Sequence, residues 1–132
     1  MARILLIEPD RILANNVTRT LEAAGHQVEL QVDPQVAVES ADKLPPQLII
    51  MEMLLADRSG AEFLYELRSY PEWQALPVVV FSSIALADLG ASAASLQQLN
   101  IAAYHYKPST SLDQLLKTVG QALQVPTALA SG

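Results

Sequence analysis

The sequence contains no cysteine, and this absence excludes both a disulfide framework and a thiolate metal site. Basic residues are few: eight Lys and Arg stand against fourteen Asp and Glu, which gives a formal net charge of −6. The basic residues are scattered along the chain, whereas binding to nucleic-acid phosphates needs clustered Lys and Arg. We therefore expect no direct nucleic-acid partner.

Long apolar runs are also missing, since none approaches the roughly 20 residues of a membrane-spanning helix. Only four apolar residues lie between Arg3 and Glu8, which is too short for a signal peptide. A hydrophobic fraction of 51% and a charged fraction of 17% favour a folded core over disorder. We expect a cytoplasmic protein with no membrane contact, one domain over residues 1–124, and a flexible tail or linker over residues 125–132.

Short apolar runs alternate with helical patterns along the whole chain. Continuous runs are typical of strands buried on both faces, and the alternating run at 27–32 predicts a strand nearer the edge. The predicted strands cover residues 4–7, 27–32, 46–52, 77–82 and 101–106, and the predicted helices cover residues 10–24, 34–44, 61–70, 88–99 and 111–123. This order indicates an α/β fold: a flavodoxin-like, doubly wound, five-stranded parallel sheet in the order 2-1-3-4-5 with five helices.

Polar side chains stand at the carboxyl ends of four predicted strands: Glu8, Glu52, Ser82 and Lys107. Ligands and chemistry lie at this edge of open α/β sheets. A charge that ends a buried strand is costly unless it is paired or required. We therefore expect these four side chains to converge, and Glu52 is the residue that most needs an explanation.

Four segments, in this order, resemble the receiver domain of bacterial response regulators over residues 3–119. Residues 4–8 resemble its first strand and first acidic residue, and residues 46–52 with the later Gly60 resemble its phosphoacceptor strand and loop. Residues 77–83 resemble the strand with the switch hydroxyl, and residues 104–108 resemble the strand with the switch aromatic and a Lys-Pro pair that is usually joined by a cis bond. The resemblance implies a signalling domain.

The chain departs from this family at the two positions that carry its chemistry. The family phosphorylates an aspartate where this chain has Glu52, with a divalent cation held by an acidic pair that is here Glu8-Pro9. Pro9 has no side-chain oxygen, and Asp10, which could replace it, also suits a helix cap. The extra methylene moves the Glu52 carboxylate by about 1–1.5 Å, an error that can cost ~100-fold in rate. The resemblance thus implies weak or absent Mg²⁺ binding, no catalytic residue, and a remnant acidic pocket of Glu8 and Asp10.

The residues that read out phosphorylation in the family are present. We predict a permanent ion pair between Glu52 and Lys107, because an unpaired buried charge would be costly. Ser82 and Tyr104 match the residues that couple the phosphoryl group to the outer surface, and the longer Glu52 could reach Ser82 and imitate the activated state. The alternatives are that Ser82 only caps a turn and that Tyr104 only packs at the edge of the core. Asp57 is a further candidate acceptor, although it lies within a loop.

The stretch from Leu89 to Tyr106 contains no Asp, Glu, Lys or Arg. Surface helices usually carry a charged face, so this composition suggests a covered helix rather than a merely polar one. We predict that a signalling partner, or a second copy in a homodimer, docks on the fourth helix and fifth strand. The interface residues we expect are Ile84, Leu86, Ala93, Leu96 and Tyr104.

The preferred hypothesis is a pseudo-receiver: a phosphorylation-independent interaction module of two-component-type signalling that is not an enzyme and holds no cofactor. One alternative is a working receiver that accepts a phosphoryl group on Glu52 or another nearby acid with Mg²⁺. A second is a flavodoxin-like cofactor binder or small enzyme, which the absence of a Gly-rich phosphate loop after any strand disfavours.

Overall fold

The structure is a computed structural model that describes residues 2–55, 59–90 and 92–124. Five parallel strands form one sheet in the order β2-β1-β3-β4-β5, which confirms the predicted doubly wound fold. The strands are β1 (Arg3–Ile7), β2 (Gln27–Gln31), β3 (Leu48–Met51), β4 (Val78–Ser82) and β5 (Ala103–Tyr106). The helices are α1 (Arg11–Ala23), α2 (Pro34–Lys43), α3 (Gly60–Arg68), α4 (Ser92–Gln98) and α5 (Leu112–Gln124), with 3₁₀ turns at Pro71–Trp73, Leu86–Leu89 and Lys107–Ser109.

The inner strands β1, β3 and β4 are buried on both faces, as their apolar runs predict. Successive side chains of a strand point to opposite faces, so each strand contributes to two separate core layers. Leu5 and Ile49 pack with α2, α3 and α4 on one face, whereas Ile4 and Ile50 pack with α1 and α5 on the other. Within the described residues, no helix is long and apolar enough to cross a membrane.

Local signals in the sequence set most helix ends. The Asp10 side chain accepts hydrogen bonds from the first turn of α1, and Pro34 opens α2 behind the Asp33 cap. The side chains of Ser111 and Gln114 accept hydrogen bonds from each other's backbone N–H groups at the start of α5, so Ser111 caps this helix. These caps place the helices as the sequence predicts, to within one or two residues.

The segment before α4 differs from its prediction. The predicted helix at 88–99 is divided into the 3₁₀ turn Leu86–Leu89 and the seven-residue α4. Gly90 separates them with a φ of 60°, a left-handed conformation that ends helical winding.

No cis peptide bond occurs in the described residues, so the Lys107-Pro108 bond is trans, contrary to the resemblance. Asp57 and the predicted tail at 125–132 lie outside the described residues.

Candidate functional site

The structure brings the four predicted polar residues together at the carboxyl edge of the sheet. Glu8 and Glu52 directly follow β1 and β3, and the Glu52 N–H donates to the Ile7 carbonyl at 3.0 Å, which holds these strand ends side by side. Ser82 is the last residue of β4, and Lys107 follows β5. Glu8, Glu52 and Ser82 are buried, so their polar atoms depend on one another for partners.

A single ammonium group joins the two buried acids. The Lys107 Nζ lies 2.7 Å from Glu52 Oε1 and 2.9 Å from Glu8 Oε1. The predicted Glu52–Lys107 ion pair is therefore present, and Lys107 is shared with Glu8, which the sequence analysis did not predict. A buried charge left without its partner is strongly destabilising, so this geometry ties the ends of β1, β3 and β5 to one another.

The Glu52 carboxylate accepts further hydrogen bonds at both oxygens. Oε2 accepts from the Ser82 hydroxyl and from the backbone N–H groups of Met53 at 2.6 Å and Leu54 at 3.0 Å. Oε1 accepts from the backbone N–H of Ser83 at 3.0 Å and from its hydroxyl at 3.2 Å, in addition to the lysine. Sequence reasoning missed Ser83, although its place directly after Ser82 was a usable signal. The carboxylate is saturated, in the sense that hydrogen-bond donors of its own chain occupy the accepting positions of both oxygens.

The surroundings of Glu8, Glu52 and Lys107 keep the Glu52–Lys107 pair ionised. Burial acts to raise the pKa of Glu52, but hydrogen bonds from Lys107, Ser82 and the backbone outweigh it, so the net pKa is lowered. Burial dominates at Glu8 and raises its pKa, despite the bonds from Lys107 and the Asp10 N–H. Burial acts to lower the pKa of Lys107, but its bonds to the two carboxylates raise it overall. Glu52 and Lys107 thus form a charged pair, and Glu8 is the acid that protonates more readily.

These residues do not fit the divalent cation that the fold family implies. Such an ion takes about six oxygen ligands, and Mg²⁺ demands near-ideal octahedral geometry. Here Lys107 Nζ binds both oxygens of Glu8 and one of Glu52, and the second Glu52 oxygen faces N–H and O–H donors. A cation would have to displace the ammonium group, and Pro9 offers no replacement oxygen.

Asp10 does not restore the missing acid. Its Oδ1 accepts from the backbone N–H groups of Ile12 at 3.1 Å and Leu13 at 3.2 Å, so its carboxylate caps α1. Only its backbone N–H turns to the pocket, where it donates to Glu8 Oε2 at 3.1 Å. The remnant acidic pocket therefore contains Glu8, with Asp10 contributing an N–H rather than an oxygen.

A path of hydrogen bonds leads from the buried acid to the outer face of β5. The Ser82 hydroxyl donates to Glu52 and accepts from the Ile84 N–H at 3.0 Å. The Ile84 carbonyl in turn accepts from the Tyr104 hydroxyl at 2.6 Å. Burial raises the pKa of Tyr104, so its phenol stays neutral and can donate. Ser82 therefore contacts Glu52 directly, and Tyr104 is connected to Glu52 through Ile84 and Ser82.

The five predicted interface residues do not share one environment. Leu86 is 45% exposed, and Ile84, Ala93 and Tyr104 are half-buried beside it on the α4–β5 side. Leu96 is only 3% exposed and packs in the core, so it offers little surface for the predicted interface contact. The short α4 turns Leu96 inward toward the sheet, and a charge placed there would disrupt folding.

Comparison with known proteins identifies the family of this fold. A model of the response regulator receiver domain matches residues 4–120. The KDP operon transcriptional regulatory protein KdpE of Escherichia coli (strain K12) is 30% identical over 134 residues, which cover 89% of this chain and 58% of that protein. The chain spans 58% or less of the curated relatives that it matches.

Solved structures share the fold at lower identity. The chemotaxis response regulator CheY4 of Vibrio cholerae has a TM-score of 0.82 and 22% identity, over 92% of this chain and 98% of that one. A CheY-like receiver domain protein of Methanospirillum hungatei JF-1 has a TM-score of 0.85 and 18% identity, over 98% of this chain and 99% of that one. With the family match over nearly the whole chain, the conclusion is that this chain belongs to the response regulator receiver domain family of two-component signalling.

Proposed function

We propose that this chain is a receiver domain that signals through protein contacts without accepting a phosphoryl group. The observation that carries this proposal is the saturated carboxylate of Glu52, whose oxygens bind Lys107, Ser82, Ser83 and two backbone N–H groups. A nucleophilic carboxylate needs a free oxygen and a divalent ion to neutralise the incoming phosphoryl group. Attack by Glu52 would first have to break these bonds.

The same contacts support a permanently active-like arrangement. Glu52 reaches Ser82, which is where the family resemblance places the phosphoryl oxygens, and the path through Ile84 fixes the Tyr104 hydroxyl. A carboxylate with a lowered pKa stays charged at neutral pH and can supply the negative charge that phosphorylation would otherwise add. In this proposal, the output state depends on protein abundance and partner binding rather than on a kinase.

The proposed output surface is the α4–β5 side, with Ile84, Leu86, Ala93 and Tyr104 contacting a cytoplasmic signalling protein or a second copy of the chain. The stretch from Leu89 to Tyr106 on this side has no charged residue, so a partner could cover that stretch without burying an unpaired charge. The proposal assigns an interaction role rather than an enzymatic one, with no direct contact to nucleic acid or membrane.

Incubation with acetyl phosphate and Mg²⁺, followed by intact mass spectrometry, tests the proposal. We expect no adduct on the wild type, because Glu52 is saturated and the metal pocket is incomplete. The double variant Pro9→Asp/Glu52→Asp restores the family's acidic pair and its shorter acceptor, and it serves as the positive control. An adduct of about 80 Da on the wild type that Glu52→Gln abolishes would refute the proposal.

A further inference from the structure

The outer side of β5 offers unused backbone hydrogen-bonding groups. The Ala102 N–H donates to β4 at 2.9 Å, and alternate residues of a parallel strand bond to the same neighbour. Tyr104 and Tyr106 therefore continue the ladder with β4, whereas Ala103 and His105 direct their N–H and C=O groups away from the sheet. Among the described residues, these outward groups have no hydrogen-bond partner.

The edge at β5 also lacks the usual protection against strand pairing. Natural edge strands are commonly blocked by charged side chains, prolines or bulges. The opposite edge strand, β2, carries the charged Glu29 at its centre, and Ser40 and Gln31 donate to that carboxylate. The four residues of β5 include no charge and no proline. The two edges of the sheet therefore differ, and only β5 is chemically suited to receive another strand.

Two grooves run along β5, one on each side of the strand. The groove toward α4 has a volume of about 300 Å³ and is mainly apolar, with Leu86, Ala93, Leu96 and Ile101 in its lining. The groove toward α5 has a volume of about 540 Å³ and is lined by polar side chains that include Ser109, Thr110, Gln114 and Thr118. Among the residues that the structure describes, Lys117 is the only charged one that lines this second groove. Because side chains of an added strand alternate between two faces, each groove would receive every second side chain.

We propose that an extended peptide with alternating apolar and acidic side chains adds to β5 as a sixth strand. The outward groups of Ala103 and His105 would bond to its backbone, the α4 groove would take its apolar side chains, and Lys117 would attract its carboxylates. The inference specifies the partner chemistry of the proposed output surface and rests on that function. A second copy of β5 is disfavoured as the occupant, because its four residues bring no carboxylate to Lys117.

Proline substitution at position 105 tests the backbone contribution. His105→Pro removes the outward N–H and places ring atoms in the path of an added strand, but it keeps every bond to β4. His105→Ala is the matched control: it also loses the side-chain contact to Thr118, but it keeps the N–H. We expect His105→Pro to weaken peptide binding about 10-fold or more, and His105→Ala to weaken it less than about 3-fold.

The probe is a displayed library of peptides of about eight residues, with valine at alternate positions and all amino acids at the others. Selection for binding to the wild-type chain should enrich Asp and Glu at the varied positions. A selected peptide, fluorescently labelled, is then measured by anisotropy against both variants and against Lys117→Glu, which should weaken binding about 5-fold. If no binder is selected, or His105→Pro binds as well as His105→Ala, the proposal is wrong.

Two further measurements keep the test decisive. If His105→Pro does not unfold cooperatively, Ala103→Pro replaces it in the binding assay. In a separate measurement on the wild type, amide hydrogen exchange at Ala103 and His105 should slow when the peptide saturates the chain. Unchanged exchange, or a sedimentation result showing that a β5-mediated dimer excludes the peptide, would refute the inference. Binding is measured in EDTA without a phosphodonor. The peptide assay is therefore independent of the phosphorylation assay. Phosphorylation of Glu52 together with intact peptide binding would refute only the proposed function. Failure to bind the peptide, with no phosphorylation of Glu52, would refute only the inference.

Discussion

Replacing Lys107 with Met should expose the cost of the two buried carboxylates that it joins. Met keeps most of the lysine stem but removes the ammonium that lies 2.7 Å from Glu52 and 2.9 Å from Glu8. Removing one partner of a buried ion pair costs about 3–5 kcal/mol. The Lys107 side chain retains 16% exposure, so partial solvation reduces the expected loss in unfolding free energy to about 2–3 kcal/mol.

Urea unfolding followed by circular dichroism gives this free energy directly, and thermal unfolding should show a Tm lower by about 10 °C. Lys117→Met is the matched control, because Lys117 is an exposed lysine on α5 and has no ion-pair partner among the described residues. We expect this control to change the unfolding free energy by less than about 0.5 kcal/mol.

The pH dependence of the Lys107→Met loss has a definite sign. In the wild type the pKa of Glu52 is lowered, so its stabilising contribution is present at neutral pH and disappears as the pH falls through the folded-state pKa. Without Lys107, burial raises the pKa of both carboxyls, and the penalty for burying their charges declines as the pH falls toward the ordinary range of about 4–5. The stability difference between variant and wild type should therefore shrink on acidification.

Two results would refute this reasoning. A loss for Lys107→Met no larger than for Lys117→Met would mean that the shared ammonium contributes nothing to the fold. A difference that grows as the pH falls would mean that the two carboxylates are not the groups left unpaired.

Three further substitutions probe the surroundings of the site. Ser82→Ala removes a hydroxyl that donates to the buried carboxylate, and chemical denaturation should show a loss of about 1–3 kcal/mol; an unchanged value would contradict the hydrogen bond. Tyr104→Phe removes the bond to the Ile84 carbonyl and should cost about 0.5–1.5 kcal/mol in the same assay, with weaker partner binding, whereas equal partner capture would exclude the phenol from the readout. Gly60→Ala would place a Cβ atom 2.7 Å from the Met53 Cα, and we expect an unfolding free energy lower by about 1–3 kcal/mol; a neutral result would mean that this loop shifts freely.

The sheet and the position of its site follow closely from local sequence signals. The apolar run of residues 48–51 is typical of a strand buried on both faces, and the polar residues after such runs meet at one edge because the strands are parallel. Asp10 and Pro34 mark helix starts through chemistry that acts within one turn. These features depend on residues that are neighbours in sequence, which is why they were predictable.

The details of the site depend on contacts between distant segments. The sharing of Lys107 by Glu8 and Glu52 depends on how three strand ends approach one another, and no spacing in the sequence encodes it. Leu96 was predicted to contact a partner because the uncharged stretch suggested a covered helix, but in the structure Leu96 is 3% exposed and packs into the core. The uncharged composition of residues 89–106 indicated an unusual face on the fourth helix and fifth strand, but it did not show which side chains point outward.

The most direct test of a saturated Glu52 is an NMR titration of the wild-type chain with Mg²⁺, read at the backbone amides of Met53, Leu54 and Ser83, which donate to its carboxylate. We predict no saturable shift of these signals at millimolar Mg²⁺, because Lys107 and the N–H donors hold the oxygens that a cation would need. A saturable shift at all three amides, lost in Glu52→Gln, would show that the metal enters the pocket and would contradict the account.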